Sequence, residues 1–474
     1  MIQNTQNKKS VSSNNPSQSV IQTKDATKTT FPKYPAYKDS GVEWLGEIPE
    51  EWEYIRMKRL YWDYSKKNRP DAELLSVTQN QGVVPRTWVE NRMVMPSGAL
   101  ESFKFINKGD FAISLRSFEG GLEYCHHDGI ISPAYTVLKK RRNDLIEGFY
   151  KYLFKSYSFI SELQTSVVGI REGKNISYPE LSYSFLPVPP LPEQTAIANF
   201  LDDKTAKIDR VIAQKEKMIE LLKERKQIII QNAVTGKLKM DNGQWIMRPK
   251  SEMKDSGVEW IGEIPEHWEV KKLKYVLKTP LKYGANECGI EYSPDLPRYV
   301  RITDFSLDGK LSEDKKLSLS WESGKDYLLE DGDILFARSG ATVGKSYQFK
   351  KSMSVENHYS FAGYLIKASP NEEVILSDFL NYFTMSGSFE NWKSSIFNKA
   401  TIENIGADKY SELMVIIPPI LEQYSIIEHI ETQSAKIDQA IALQQTQIEK
   451  LKEYKATLID SAVTGKIKVT DYAI

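Results

Sequence analysis

The stretch SGATVGKS, Ser339 to Ser346, differs by one residue from a loop that wraps phosphate with backbone amides. Such a loop needs Gly at its first position and must open a helix, so that the amides converge on one anion. Ser339 stands in the Gly place, and the YQFKKSMSV that follows looks like a strand. The expectation is a strand–turn–strand loop presenting Arg338, Ser339 and Lys345, without nucleotide binding. Asp295, Glu313 and Lys315 imitate the carboxylate–lysine set of a metal-dependent nuclease. That set needs carboxylates on adjacent strands, whereas Asp295 lies between two prolines in a turn. YCHHD, Tyr124 to Asp128, puts Cys, two His and Asp in succession. Adjacent residues point opposite ways, and zinc gathers separated pairs, so a polar loop touching a ligand fits better than a metal site. The [DNS]-P-P-[YFW] signature of amino-methyltransferases is missing, because the Pro-Pro pairs follow Val188 and Ile417. No catalytic set and no metal site is expected.

The elements that would position any binding residue occur twice. KDSGVEWLGEIPEEWE opens at Lys38 and KDSGVEWIGEIPEHWE at Lys254, an offset of 216 residues. PPLPEQTAIANFLDDKTAKIDRVI at Pro189 returns as PPILEQYSIIEHIETQSAKIDQAI at Pro418, and AVTGK at Ala233 returns at Ala462, both offset by 229. The thirteen-residue difference requires an insertion in the middle of the second unit. So long a period is domain duplication rather than a solenoid. The variable blocks read as mixed α and β, with strands entered by Gly-Asp turns at Gly109 and Gly332 and strands leading into each Pro-Pro.

The segments after Pro-Pro read as long helices. One apolar stripe runs through Leu201, Ile208, Ile212, Ile219, Leu222 and Ile229, the other through Ile430, Ile437, Ile441, Ile448, Leu451 and Leu458. Pro192 and Glu193 suit a first turn, and Gly236 and Gly465 suit the left-handed residue that ends a helix. About 44 residues give roughly 65 Å of helix. A single apolar face of that length needs a partner, and chain connectivity favours the other copy, antiparallel. Lys215 and Gln444 interrupt the two stripes near their middles and would fix register. Trp44, Trp52, Trp260 and Trp268 make each opening motif a candidate clasp or docking surface, or part of its block's core.

The chain has 474 residues, 41% hydrophobic and 27% charged, with no net charge. Such a length suggests two or more domains. Zero net charge argues against indiscriminate coating of nucleic acid or anionic membrane, but allows a selective reader with locally basic loops. Residues 54–186 carry 19 basic and 14 acidic side chains, and 270–416 carry 19 and 20, so contacts in the second block must be concentrated. No apolar run suggests a membrane span or secretory signal, and two cysteines in different halves suit a reducing cytoplasm.

Four linked motifs, each present twice in order, make the chain after its tail resemble the specificity subunits of type I restriction–modification systems. The resemblance implies two target-recognition domains separated by an antiparallel two-helix coiled coil, with pseudo-twofold symmetry and each domain reading half of a split DNA target. The expected division is a disordered tail at 1–33, recognition domains at 34–188 and 241–417, and spacer helices at 189–240 and 418–474. The implied partners are double-stranded DNA, two methyltransferase subunits that use S-adenosylmethionine, and two motor-nuclease subunits that use ATP and Mg²⁺. The chain itself is then non-catalytic, binds no cofactor and works in the cytoplasm. Readers of base edges use Arg, Lys, Asn and Gln, and two heads should sit about 34–36 Å apart or a multiple of it. Candidate contacts beside strand ends are Gln79, Gln81, Arg86, Arg116, Arg171 and Lys174 in the first domain. In the second they are Arg301, Arg338, Lys345, Asn357, Lys399 and Thr401. The rival reading is a coiled-coil scaffold with two protein-binding heads and no DNA role.

Overall fold

The computed structural model describes residues 31–89, 100–115, 117–168, 175–305, 310–339, 343–397 and 404–469. The fold is mixed α/β. The chain divides into two compact units, one formed by Met1–Ile208 with Lys452–Ile474 and the other by Asp209–Leu451. Each unit thus holds one variable block, the start of the long helix that follows it, and the end of the other long helix.

The long helices span Leu191–Val234 and Ile420–Val463, 44 residues each. Both carry a glutamate in the first turn, Glu193 and Glu422, where the partial positive charge of free N–H groups favours an anion. Both stop two residues before a glycine with left-handed backbone, Gly236 at φ 69° and Gly465 at φ 75°. Within the second unit the two helical segments run antiparallel. Lys215 Nζ donates to Gln444 Oε1 at 3.1 Å and also to Gln447, and Lys226 pairs with Asp438 at 2.7 Å. Positions therefore rise along one helix as they fall along the other. The expected polar pair meets, with Gln447 added. Ile219, Ile437 and Ile448 are buried there, while Ile212, Leu222, Ile229, Ile441 and Leu451 are half-buried. Ile430 joins the globular core of the unit, as does Ile230, a deeper neighbour of the expected Ile229. In the first unit Leu201, Ile208 and Leu458 are buried.

The two variable blocks share one strand plan. The first has a four-stranded antiparallel sheet ordered Tyr61–Asp63, Thr136–Lys140, Phe111–Ile113, Glu123–Tyr124. The second repeats it as Lys282–Tyr283, Leu365–Ala368, Ile334–Ala337, Ser346–Gln348. The Gly-Asp turns work alike. Asp110 accepts from the Asn107 amide at 3.0 Å and Asp333 from the Glu330 amide at 2.8 Å, closing the turn before the strand. Two short helices, Glu147–Leu153 and Tyr157–Gln164, reappear as Ser377–Thr384 and Gly387–Phe397.

Register corrects the expected single insertion. Equivalent residues are offset by 216 at Glu53 and Glu269, by 223 at Asp110 and Asp333, and by 229 at Val188 and Ile417. The thirteen residues therefore do not enter at one place: seven precede the Gly-Asp turn and a net six follow it. Loops absorb length at little cost, whereas a shifted strand would turn its buried face outward.

At each helix end the glycine is required twice over. A Cβ on Gly465 would stand 2.3 Å from Pro49 Cδ, and one on Gly236 2.3 Å from Pro265 Cγ and 2.8 Å from Trp268 Cη2. Replacing Gly465 with Ala should destabilise the first unit, and Gly236 the second, by roughly 1–3 kcal/mol each. Urea unfolding of the two variants, followed by Trp fluorescence, checks this; an unchanged midpoint for both would contradict the close packing.

Candidate nucleic-acid interface and the repeated clasp

The opening motif forms a two-stranded turn in both copies: Tyr37–Asp39 pairs with Glu47–Pro49, and Met253–Asp255 with Glu263–Pro265. The turn brings Trp52 and Trp268 into full burial, each 0% exposed. A buried indole N–H must find an acceptor. Trp52 Nε1 donates to Glu193 Oε2 and Trp268 Nε1 to Glu422 Oε2, both at 3.0 Å. The second oxygen of Glu193 accepts from the Tyr34 hydroxyl at 2.5 Å. In the other copy the His267 ring nitrogen lies 2.6 Å from Glu422 Oε1. His267 replaces Glu51, one of only two changes between the opening motifs, so the substitution supplies the partner that Tyr34 supplies in the first copy.

The next residue of each Glu-Gln pair is equally specific. Gln194 accepts from the Ile146 amide at 2.9 Å and donates to the carbonyls of Asp144 and Pro189. Gln423 accepts from Leu376 at 2.8 Å and donates to Val374 and Pro418. Both amides are buried and tie the helix start to the end of a loop. The far helix end is fixed in a matching way. Asp460 Oδ1 accepts from the Ser158 amide at 3.0 Å, and Gln231 Oε1 from Ser388 at 3.1 Å. Trp52 and Trp268 are therefore core residues, unavailable for docking a partner. Trp44 and Trp260 are half-buried against Phe159 and Phe383.

The chemically suggestive clusters have ordinary structural roles. Residues 343–345 form a turn into the strand Ser346–Gln348, and Ser339–Ser346 opens no helix among its described residues. Glu313 pairs with Arg298 at 2.9 Å, and the Asp295 carbonyl accepts from Trp321 Nε1. Cys125 is buried, bridging to Val83, with its thiol pushed up to about 12 by burial. The polar part of YCHHD is therefore His126 to Asp128 alone. Among the described residues no group of three His, Cys, Asp or Glu could hold a metal, and no helix is long and apolar enough to cross a membrane.

The expected contact residues fall into three sets. Arg116, Arg171, Lys174, Lys399 and Thr401 lie outside the described residues. Gln79 and Gln81 are exposed on one turn, whose backbone is anchored by Lys155 Nζ to the Gln79 carbonyl at 3.1 Å. The same ammonium reaches Glu123 at 2.7 Å, where burial raises the carboxyl to about 7 against the pull of Lys155. Arg86 is half-buried beside that turn, and Asn357 is exposed. The other cations of the second block hold local partners. Arg301 makes two bonds to Asp304 and one to the Lys315 carbonyl. Arg338 lies over Tyr283 and reaches Asn404, and Lys345 donates to the Phe305 carbonyl. Contact with DNA through Arg301 would have to displace a bidentate carboxylate.

Sequence reasoning missed Trp88 and Lys108, which line an open groove of about 670 Å³ with Gln81, Val84 and the His126 and His127 of the YCHHD loop. It also missed the second block's acid–base network. Arg298, 1% exposed, binds Glu313 and Glu356, and Lys316 joins Glu356 at 2.9 Å. Burial opposes the charge on Glu356, but the Tyr359 hydroxyl, Lys316 and Arg298 outweigh it and hold the carboxyl down to about 2 from its usual 4.5. A depressed folded-state value contributes stability above pH 4.5 that is lost as pH falls toward 2. Denaturant midpoints between pH 6 and 2.5 should fall less steeply for Glu356→Gln than for the native chain. Parallel curves would show that this carboxylate carries none of the acid sensitivity.

Comparison with known proteins gives one family match. Residues 265–453 match the type I restriction modification DNA specificity domain. The type I restriction enzyme EcoBI specificity subunit of Escherichia coli is 24% identical over 350 residues, covering 72% of this chain and 70% of that protein. The MjaVIII specificity subunit of Methanocaldococcus jannaschii is 24% identical over 451 residues, covering 89% and 94%. A chain in a solved structure concerned with complex assembly and conformational transition of the type I R-M system aligns with a TM-score of 0.64. It is 14% identical, over 88% of this chain and 98% of that one, which shows a shared fold. The family match covers the second copy; the repeated motifs and strand order extend the likeness to the first.

Proposed function

We propose that this chain, which belongs to the specificity subunits of type I restriction–modification systems, reads a bipartite DNA target with one half-site per recognition domain. The observation that carries the proposal is the duplication itself. One strand order and one clasp are used twice, while the surfaces around them differ in charge and shape. Two related heads with unlike surfaces suit two unlike half-sites on one duplex. In this reading the chain is non-catalytic and cytoplasmic. It docks two methyltransferase subunits, which bring S-adenosylmethionine to adenine N6, and two motor-nuclease subunits, which use ATP and Mg²⁺.

The base of each head explains how a domain could vary without disturbing the rest. Glu53–Arg56 pairs with Phe185–Val188, and Glu269–Lys272 with Met414–Ile417. The chain enters and leaves each head through one antiparallel ribbon beside the clasp. Exchanging residues 54–186 for another family member's head, with both junctions inside that ribbon, should change one half-site and leave the other. Methylome sequencing of a host carrying the hybrid reads this directly, and a change in both halves contradicts independent reading. The purified chain alone should transfer no radiolabelled methyl group to DNA, and measurable transfer would sink the non-catalytic assignment.

A further inference from the structure

Trp88 is 62% exposed, an unusual position for so large an apolar ring. It stands between two open depressions, of about 670 and 760 Å³, the second bordered by Gln79, Asn80 and Gln81. The ring is not loose, because His127 packs edge-on against it with centroids 5.0 Å apart. His126 projects beside Gly82, where a Cβ would come within 3.3 Å of the imidazole. Its partner Tyr124 packs edge-on at 4.8 Å.

The Trp–His pair recurs in the second head. Trp321, 40% exposed, meets His358 edge-on at 4.8 Å. Topology places both pairs alike. Leu75–Thr78 pairs antiparallel with Gly82–Pro85 and, through Leu74, bridges in parallel to Ile130. Arg298–Val300 pairs antiparallel with Leu317–Ser318 and parallel with Tyr359–Phe361. In each head the Trp comes three residues after the antiparallel neighbour, and the His just before the parallel one. The local sequences, PRTWV and SLSWE, are unrelated. What the heads share is an aromatic wall; what differs is its polar lining.

We propose that the groove beside Trp88 is where the first head touches base edges, with Gln81 and His126 making the polar contacts and the Trp88–His127 pair forming a rigid apolar wall. This rests on the DNA-reading role proposed above and names its specificity-determining side chains. A Gln amide offers the donor and acceptor that match adenine N6 and N7 in the major groove, and an aromatic wall suits the thymine methyl. Burial, with the charges of Lys151, His127 and Lys108, lowers His126 from its usual range, leaving a neutral ring with one donor and one acceptor. Lys108 on the rim supplies the sequence-independent attraction to phosphate.

The test uses the chain assembled with its methyltransferase subunits and fluorescent duplexes bearing the target found by methylome mapping. Competitor duplexes are altered in one half-site at a time. Gln81→Ala and His126→Ala should each lower discrimination within a single, common half-site by roughly 10-fold, leaving the other half-site as in the native complex. Retained discrimination at the second half-site also shows the variant to be folded. Trp88→Ala should weaken binding at that same half-site. Native discrimination at both half-sites in all three variants, or equal losses at both, overturns the groove assignment. A native complex that discriminates at neither half-site would overturn the reading role as well, and so separates the two failures.

Discussion

A buried indole N–H bonded to a glutamate in the first turn of a helix is the contact on which each unit depends. Trp52 and Trp268 surrender their hydration completely, so their donors must be met inside the protein. Glu193 and Glu422 meet them where a helix N-terminus already favours negative charge. Such a bond is charge-assisted and directional, so it fixes both the ring and the helix start. Pro49 and Pro265 then occupy the side that only a glycine from the other helix's end can approach. Two elements far apart in sequence are gathered on one side chain. The arrangement occurs twice, with Tyr34 and His267 as different solutions to the same remaining acceptor.

Around that constant frame the surfaces are free to diverge. The four-stranded sheets keep their order while their connections lengthen both before and after the Gly-Asp turn. Length changes are tolerated in loops because closure entropy grows slowly, and because loops run over the surface. The first head uses its freedom for an open groove beside an exposed ring. The second fills a comparable region with a satisfied network of Arg298, Lys316, Glu313 and Glu356. A buried cation there is tolerable only because carboxylates and a carbonyl surround it.

The parts of this architecture that could be read from sequence are those with local punctuation. Pro192, Glu193 and the terminal glycines marked where helix Leu191–Val234 begins and where both long helices end, since those signals act on neighbouring backbone. The expected segments 189–240 and 418–474 extend beyond the helices at both ends. The Gly-Asp turns and the strands entering Pro-Pro were legible for the same reason. The roles of Glu193, Gln194 and Asp460 were not, because their partners lie across the fold and no periodicity reports them. Surface residues were hardest. Arg301 has the right chemistry for DNA yet is committed to Asp304, whereas the Trp88 groove joins residues from three separate segments. Neither fact leaves a trace in local spacing.

The division of the chain also bears on its synthesis. One body, Asp209–Leu451, is contiguous and has all its parts as soon as its last helical turns leave the ribosome. The other is split, and its clasp lacks Gly465 and its short helix lacks the Asp460 acceptor until the final stretch is translated. Its N-terminal portion must wait, with the pocket around Trp52 incomplete, while more than two hundred residues are made. The nascent polypeptide therefore carries the first body unfinished while residues 209–451 are made, and the later-made body can mature before the earlier one.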